Sequence, residues 1–296
     1  MQMPDITVYE PSSVKDVCNQ LRALGESSRI LAGGTDILVD LKANRIEGVN
    51  SLVSLRRVSG LKSIEKKDEG YHVGTLTTPN MALRHKGLGA DFPGLFDAFL
   101  AMAATSLRNM ATIGGNITSG VPCSDLAPVF VALNARVSLD NGDSRRQVSI
   151  EDFIRAPRDT LCAHDEVLTH IILPLLPSAS GLSYQTFQLR SANAIAVASV
   201  ASVVKLDDSL ETINDARIVL GAVAPIPLVV EGTSGLLNGK KPTAALLSQA
   251  GVIARQEAQP VSDLRGSAEY RRELIAVLTR RSLLEAITRA GGRLNE

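Results

Sequence analysis

The sequence predicts an α+β protein in which a middle unit of helices and strands precedes a separate C-terminal domain. Alternating apolar and polar runs around Asp68–Gly70 and Asn141–Gly142 predict β-hairpins in the middle unit. A helical stretch at 93–109 lies between these hairpins. The linker-like run Pro-Ser-Ala-Ser-Gly at 177–181 then predicts a domain boundary after residue 176.

Residues 1–55 predict strands and helices that alternate around a glycine turn. A short strand at 6–9 precedes a helix at 14–24, with Ser12-Ser13 as the candidate N-cap. The next strand enters Gly33-Gly34-Thr35-Asp36, which stands directly before a second helix. The pattern G-x-G-x-x-G is absent, so no Rossmann unit is predicted. Consecutive N–H groups at this turn can nevertheless hold a phosphate.

The middle unit, residues 56–176, carries a second glycine segment from Thr112 to Leu133. Gly114 and Gly115 lack the side chains that would keep a ligand away from backbone N–H groups, and small polar residues follow them. Apolar runs on both sides favour a binding site between buried elements. A plain turn, with Asp125 as the N-cap of a helix over 126–133, fits the spacing equally well.

The remaining elements are predicted from strand and helix periodicity. The runs SLVSL, SIEKKDEGYHVGTLTT and ARVSLDNGDSRRQVSIEDFI are interpreted as hairpins. After the linker, YQTFQLR, AVASVASVVKL and DARIVLGAVA predict a three-stranded antiparallel sheet, and residues 242–287 predict helices. The C-terminal domain is therefore expected to span residues 177–296.

Composition excludes several classes of protein. Lys plus Arg and Asp plus Glu both total 31, so no net charge attracts nucleic acid or an anionic membrane. No apolar run is long enough to span a bilayer and the N-terminus has no targeting pattern, so a cytoplasmic location is expected. Cys18, Cys123 and Cys162 are far apart, and the four histidines show no ligand spacing. We expect no metal site in this chain.

With both glycine segments in view, the sequence resembles the FAD-binding subunit of the molybdenum hydroxylases, the family of xanthine dehydrogenase and carbon monoxide dehydrogenase. The similarity runs nearly end to end. It is carried by LAGGTDILVDLK from Leu31, VGTLTT from Val73, SLRNMATIGGNITSGVPCSDLAPVFVAL from Ser106, DEVLTHIILP from Asp165, Tyr270-Arg271, and RRSLLEA from Arg280.

This resemblance implies a two-subdomain flavin-binding fold of the p-cresol methylhydroxylase type, with subdomains at about 1–55 and 56–176. It implies FAD bound without a covalent bond, because the first glycine turn lacks the attachment histidine of related oxidases. We expect a Cβ at Gly33 or Gly115 to block the approach of backbone to cofactor. The implied cofactor-binding residues are Leu31, Ala32, Gly33, Gly34, Thr35, Asp36, Ile37, Thr112, Gly114, Gly115, Asn116, Ser119, Asp125, Leu168 and Thr186.

Thr186 departs from the family pattern, since xanthine dehydrogenase-like members carry a lysine near the flavin there. The loss of that positive charge is expected to change the flavin potential, and Arg190 is a candidate for compensation.

The resemblance also implies an electron-transfer subunit with no catalytic side chain of its own. Its expected partners are an iron–sulfur subunit with [2Fe–2S] clusters and a molybdopterin subunit, assembled as a dimer of heterotrimers. Two alternatives are a free-standing FAD oxidase or reductase and a cofactor-free scaffold subunit. The first lacks a cluster of catalytic residues after Gly181, and the second conflicts with the small residues in both glycine segments.

Overall fold

The N-terminal unit is built on a three-stranded parallel sheet with strand order β1-β3-β2. The computed structural model describes residues 4–295. The elements of this unit are β1 (Thr7–Tyr9), α1 (Val14–Leu24), β2 (Ser28–Leu31), α2 (Ile37–Lys42) and β3 (Ser51–Ser54). The Ser13 hydroxyl accepts a hydrogen bond from the N–H of Asp16 and caps α1. The predicted first helix and its cap are confirmed.

Strand β3 corrects the interpretation of SLVSL as part of a hairpin. It is the central strand of the parallel sheet, and all four of its residues are buried. A strand buried on both faces does not show the alternation of a half-exposed hairpin strand, and a run of five residues contains too little pattern to separate the two cases.

The middle unit contains a five-stranded antiparallel sheet with order β4-β5-β10-β6-β7. Both predicted hairpins are confirmed as β4–β5 and β6–β7, and β10 separates them. The strands are β4 (Ile64–Lys67), β5 (Gly70–Gly74), β6 (Arg136–Asp140), β7 (Arg145–Ser149) and β10 (Val167–Leu173). A small two-stranded sheet is formed by β8 (Ile154–Ala156) and β9 (Asp159–Thr160).

The middle unit also contains short helices. They are α3 (Pro79–Leu83), α4 (Lys86–Asp91), α5 (Pro93–Ala101), α6 (Thr105–Arg108), α7 (Ile113–Thr118), α8 (Leu126–Ala132) and α9 (Ile150–Phe153). The helix predicted over 93–109 is broken between α5 and α6, where Ala103 has a positive φ of 42°. The Arg108 guanidinium donates to the carbonyl oxygens of Leu100, Met102 and Ala103, so the carbonyls freed by the break have a partner.

The C-terminal domain has four antiparallel strands in the order β11-β12-β13-β14, one more than predicted. Its elements are β11 (Ser180–Gln188), β12 (Ala196–Leu206), β13 (Ile213–Gly221), β14 (Leu228–Val229), α10 (Ser234–Leu237), α11 (Ala244–Glu257) and α12 (Ala268–Arg289). Strand β14 was missed because it has two residues and directly follows Pro225 and Pro227, which indicate a turn.

The C-terminal sheet has helix α12 on one face and the middle unit on the other. Leu182 and Tyr184 of β11 belong to the same buried cluster as Phe99 and Phe130 of the middle unit. Helix α12 lies against the same strand, because its Ser282 hydroxyl donates to the carbonyl oxygen of Ser183, the residue between them. Successive strand residues alternate between faces, so β11 joins the two units. Within residues 4–295, no helix combines the length and apolarity that a membrane span requires.

Candidate cofactor-binding site

The first glycine segment leaves a run of backbone donors without partners. Among the described residues, no acceptor takes a hydrogen bond from the N–H groups of residues 32–37. The first backbone hydrogen bond at the start of α2 runs from the N–H of Leu38 to the carbonyl oxygen of Gly34, at 3.2 Å. Asp36 stands at the N-cap position, yet its side chain makes no capping hydrogen bond. Consecutive unpaired N–H groups at a turn attract an anion. The geometry therefore fits the predicted phosphate site.

The two glycine segments lie against each other. A Cβ built on Gly33 would overlap the carbonyl oxygen of Met110 and would lie 3.1 Å from the Cα of Ala111. Ala32 is close to Gly115 of the second segment. The neighbouring backbone of Met110 and Ala111 therefore leaves room only for glycine at position 33. The expectation that a Cβ there acts by blocking the cofactor is therefore corrected, because a side chain at 33 would first separate the two segments.

The N–H groups of Gly114 and Gly115 are used by the protein, which corrects the expectation that they face a ligand. Thr112 caps α7, and its hydroxyl accepts from the N–H of Gly115 at 3.0 Å. The N–H of Gly114 donates to the carbonyl oxygen of Thr75 at 3.0 Å, and that of Ile113 to Thr77 at 2.8 Å. A Cβ on Gly114 would overlap the Thr75 hydroxyl. These residues dock α7 on the end of β5.

Polar side chains fill the turn between α7 and α8. The Ser124 hydroxyl donates to Asn116 Oδ1 at 2.6 Å and accepts from the N–H of Ala127 at 3.2 Å. The Ser119 hydroxyl donates to the carbonyl oxygen of Asn116 at 2.8 Å. Within residues 4–295, the amide nitrogen of Asn116 has no acceptor, so this group is available to a ligand. Ser124 thus performs the capping that a plain turn would assign to Asp125.

Asp125 is a buried carboxylate and not a helix cap. Its side chain makes no capping bond, and only 8% of the residue is exposed. Oδ1 accepts from the Tyr184 hydroxyl at 2.7 Å. Burial raises the pKa of Asp125 to about 6, although the bond from Tyr184 acts in the opposite direction. No described donor contacts Oδ2, which is not among the fully buried unpartnered atoms. Oδ2 therefore remains accessible.

The two remaining predicted residues belong to strands. Thr186 is half-buried on β11, two residues after Tyr184 and therefore on the same face of the strand. Leu168 lies on the central strand β10 opposite Leu139 and is buried in the core. The candidate for compensation, Arg190, donates to the carbonyl oxygen of Asn193 at 2.7 Å within its own exposed turn.

Sequence reasoning missed Tyr184. It was assigned only to a strand, but a tyrosine that enters a core needs a partner for its hydroxyl. The need of a buried tyrosine hydroxyl for a hydrogen-bond partner was the one signal in the sequence that could have linked Tyr184 to a buried acceptor.

Comparison with known proteins decides the family. The model of the FAD binding domain in molybdopterin dehydrogenase matches residues 4–176. The chain belongs to this family. The CO dehydrogenase flavoprotein C-terminal domain matches residues 183–286, so both predicted parts of the resemblance are confirmed.

Curated relatives match over almost their whole length. The carbon monoxide dehydrogenase medium chain of Afipia carboxidovorans is 30% identical over 95% of this chain and 96% of its own. The nicotine 6-hydroxylase medium subunit of Paenarthrobacter nicotinovorans is 29% identical over 97% and 99%. The structure superimposes with a TM-score of 0.93 on a chain of carbon monoxide dehydrogenase from Hydrogenophaga pseudoflava, at 28% identity, with 98% of this chain and 99% of that chain covered. This chain is an FAD-binding medium subunit of the molybdenum hydroxylases, and hence an oxidoreductase subunit.

Proposed function

We propose that this chain receives electrons from [2Fe–2S] clusters of a partner subunit on a noncovalently bound FAD and passes them to an external acceptor. The observation that carries the proposal is the run of N–H groups at residues 32–37, which have no acceptor in the described part of the chain. A segment of that kind can hold the FAD pyrophosphate, and it lies within residues 4–176, which the family model of the FAD-binding domain matches.

In this proposal Leu31 to Ile37 hold the pyrophosphate through the main chain. The segment contains no lysine or arginine, so backbone dipoles supply the attraction for the negative charge. It also contains no histidine or cysteine, the residues that could attach a flavin covalently. Binding through hydrogen bonds alone is the consequence.

Asp125 would accept a hydrogen bond from a cofactor hydroxyl through Oδ2. Oδ1 is already occupied by Tyr184, and Oδ2 is the oxygen that no described donor contacts. The carboxylate thus has one oxygen fixed by the fold and one left for the ligand. The free amide nitrogen of Asn116 offers a donor nearby on α7, since Asn116 is bonded to Ser124 beside Asp125. Thr112, Gly114, Gly115 and Ser119 would form the wall that carries these groups.

Thr186 and Leu168 would contribute contacts without charge. FAD, when bound, supplies the electron-carrying chemistry, so the chain has to bind it, orient it and set the charge around it. A threonine at 186 gives no positive charge on that face of β11. No side chain needs to act as an acid or base, and we assign no catalytic residue.

The proposed partners are the subunits that would hold the metal centres of the complex. Among residues 4–295, no three His, Cys, Asp or Glu side chains are grouped as metal ligands. Two relatives are called medium chain or medium subunit. We propose a complex with an iron–sulfur subunit and a molybdopterin subunit, doubled by symmetry as most oligomers are.

Within the chain, we propose that the FAD-binding domain ends at 176 and the C-terminal domain starts at 177.

Purification of a tagged copy from its native host tests this proposal. We expect a yellow complex in which two further polypeptides carry iron–sulfur clusters and molybdenum, and in which reduction of the clusters is followed by reduction of the flavin. A lone yellow chain that oxidises an organic substrate without molybdenum would contradict the proposal and would support a free-standing oxidase. A colourless chain that does not take up FAD would contradict the cofactor site itself.

A further inference from the structure

The turn between β8 and β9 contains an arginine in an unusual backbone conformation. Arg158 has a φ of 62°, in the left-handed region that residues other than glycine rarely adopt. Such a conformation persists when surrounding contacts hold it in place. The contacts of Arg158 therefore indicate what this turn does.

The main chain of Arg158 contacts the end of the second glycine segment. Its N–H donates to the carbonyl oxygen of Gly120 at 2.8 Å. Gly120 follows α7 with a φ of 56°, and a Cβ there would lie 3.1 Å from the Cα of Arg158. The two backbones are thus as close as a glycine allows.

The side chain of Arg158 contacts the helix that follows the first glycine segment. Its Nη1 donates to Asp40 Oδ2 at 2.6 Å, and Asp40, on α2, is only 4% exposed. Arg45 donates to the other carboxylate oxygen at 3.1 Å. Burial acts to raise the pKa of Asp40, but the bonds from Arg158 and Arg45 outweigh it and hold that pKa below its ordinary value. Asp40 is therefore a charged and fixed anchor.

We propose that Arg158 is a positioning residue that latches the two glycine segments together. At the start of the segments there is already one contact, where Gly33 meets Met110, two residues before the second segment. Arg158 adds a second attachment, from Asp40 on α2 to Gly120 after α7. Two attachments fix both the distance and the angle between the segments.

The latch rests on the proposed function, in which FAD contacts both segments. A ligand that spans two segments binds more tightly when they are already in place, because less ordering accompanies binding. Arg158 would thus raise FAD affinity through Asp40 and Gly120.

Four variants of the full-length apo chain test the latch by titration with FAD and by thermal melting. Arg158→Gly removes the side chain, suits the positive φ and keeps the N–H bond to Gly120. We expect it to weaken FAD binding about tenfold, the scale of one charge-assisted hydrogen bond. Arg158→Lys should recover most of that affinity, because an ammonium group can still pair with Asp40. Asp40→Asn should weaken binding, and the double variant Arg158→Gly/Asp40→Asn should bind no more weakly than Arg158→Gly alone.

Arg145→Ala is the matched control. Arg145 forms the same kind of pair, at 2.6 Å, with Asp140, which is likewise buried, and this pair belongs to the β6–β7 hairpin. The Arg145→Ala variant should have a lower melting temperature and an unchanged FAD affinity.

Three results would overturn the latch while leaving the proposed function intact. They are wild-type affinity in Arg158→Gly, an equal loss of affinity in Arg145→Ala, and a loss in Arg158→Gly with normal binding by Asp40→Asn. The last result would mean that Arg158 contacts the phosphate directly. If Arg158→Gly does not fold, the FAD affinities of Arg158→Lys and Asp40→Asn still test the latch. Normal FAD affinity in Asp40→Asn is sufficient to refute it. A wild-type chain that binds no FAD would refute both proposals.

Discussion

The hydrogen bond between Tyr184 and Asp125 predicts a substitution whose cost depends on pH. Tyr184→Phe removes one hydroxyl from a buried ring and leaves the ring packing in place. At pH 8 Asp125 is charged, and loss of a 2.7 Å bond to a buried carboxylate should lower the free energy of unfolding by about 1.5–3 kcal/mol. At pH 5 Asp125 is largely protonated, because its pKa is about 6, and the loss should fall to about 0.5–1.5 kcal/mol.

The same carboxylate sets a pH dependence in the unsubstituted protein. The pKa of Asp125 in the fold, about 6, is above the value of about 3.9 for an unfolded chain. The folded state therefore binds the proton more tightly, and the stability gained from this group is fully present below about pH 4. It is lost as the pH rises to about 6, by about 3 kcal/mol for a difference of roughly two pKa units. Removal of the Tyr184 hydroxyl should extend this loss to higher pH.

Urea unfolding of the apo chain at pH 5 and pH 8 measures both effects, and Tyr71→Phe is the control. Tyr71 is also buried and donates to a carboxylate, Asp91, at 2.8 Å. The bonds from Lys66 and Tyr71 hold the pKa of Asp91 below its ordinary value, so Asp91 stays charged at both pH values. The cost of Tyr71→Phe should be the same at pH 5 and pH 8. If the cost of Tyr184→Phe is also the same at both, Tyr184 acts through packing and the reasoning is refuted.

Three further predictions concern the cofactor site. Asp125→Asn keeps an acceptor for Tyr184 and removes a buried charge, so the fold should persist while FAD affinity, measured by titration, falls on the order of tenfold to hundredfold; unchanged affinity would make Asp125 purely structural. Gly33→Ala should lower the melting temperature of the apo chain more than Gly115→Ala, because the first Cβ meets backbone and the second meets only the Thr112 hydroxyl at 2.7 Å; equal melting temperatures would contradict the packing argument. Acid or heat should release FAD into the supernatant, and flavin retained by the precipitated chain would contradict noncovalent binding.

Local patterns in the sequence were sufficient for elements whose cause is local. Helix α1 was predicted with its cap because Ser13 and the apolar spacing lie within one stretch of chain. The hairpins β4–β5 and β6–β7 were predicted because each turn stands between its two strands. The first glycine segment was predicted as a phosphate site because it presents consecutive N–H groups at a helix start; within residues 4–295 these groups have no acceptor, and the phosphate site stays a prediction.

The second glycine segment was only half predicted, because its partners are distant in the chain. Whether Gly114 offers its N–H to a ligand or to Thr75 depends on how α7 docks on β5, and no local pattern specifies that docking. The spacing around Asp125 likewise allowed either a helix cap or a ligand site. The structure excludes the cap: the Asp125 side chain makes no capping bond, Ser124 accepts from the N–H of Ala127 instead, and Oδ1 of Asp125 accepts from Tyr184 of the C-terminal domain.

The sequence by itself determined the elements whose cause is local, the position of both glycine segments and, through resemblance, the family. These properties depend on residues that are neighbours along the chain or that match a family pattern position by position. Only the tertiary structure decided which polar groups of the two segments remain available, because hydrogen-bond donors and acceptors are consumed by partners that folding brings from far away. Arg158 shows this most clearly, since its contacts with Asp40 and Gly120 join residues that are 118 and 38 positions away in the sequence.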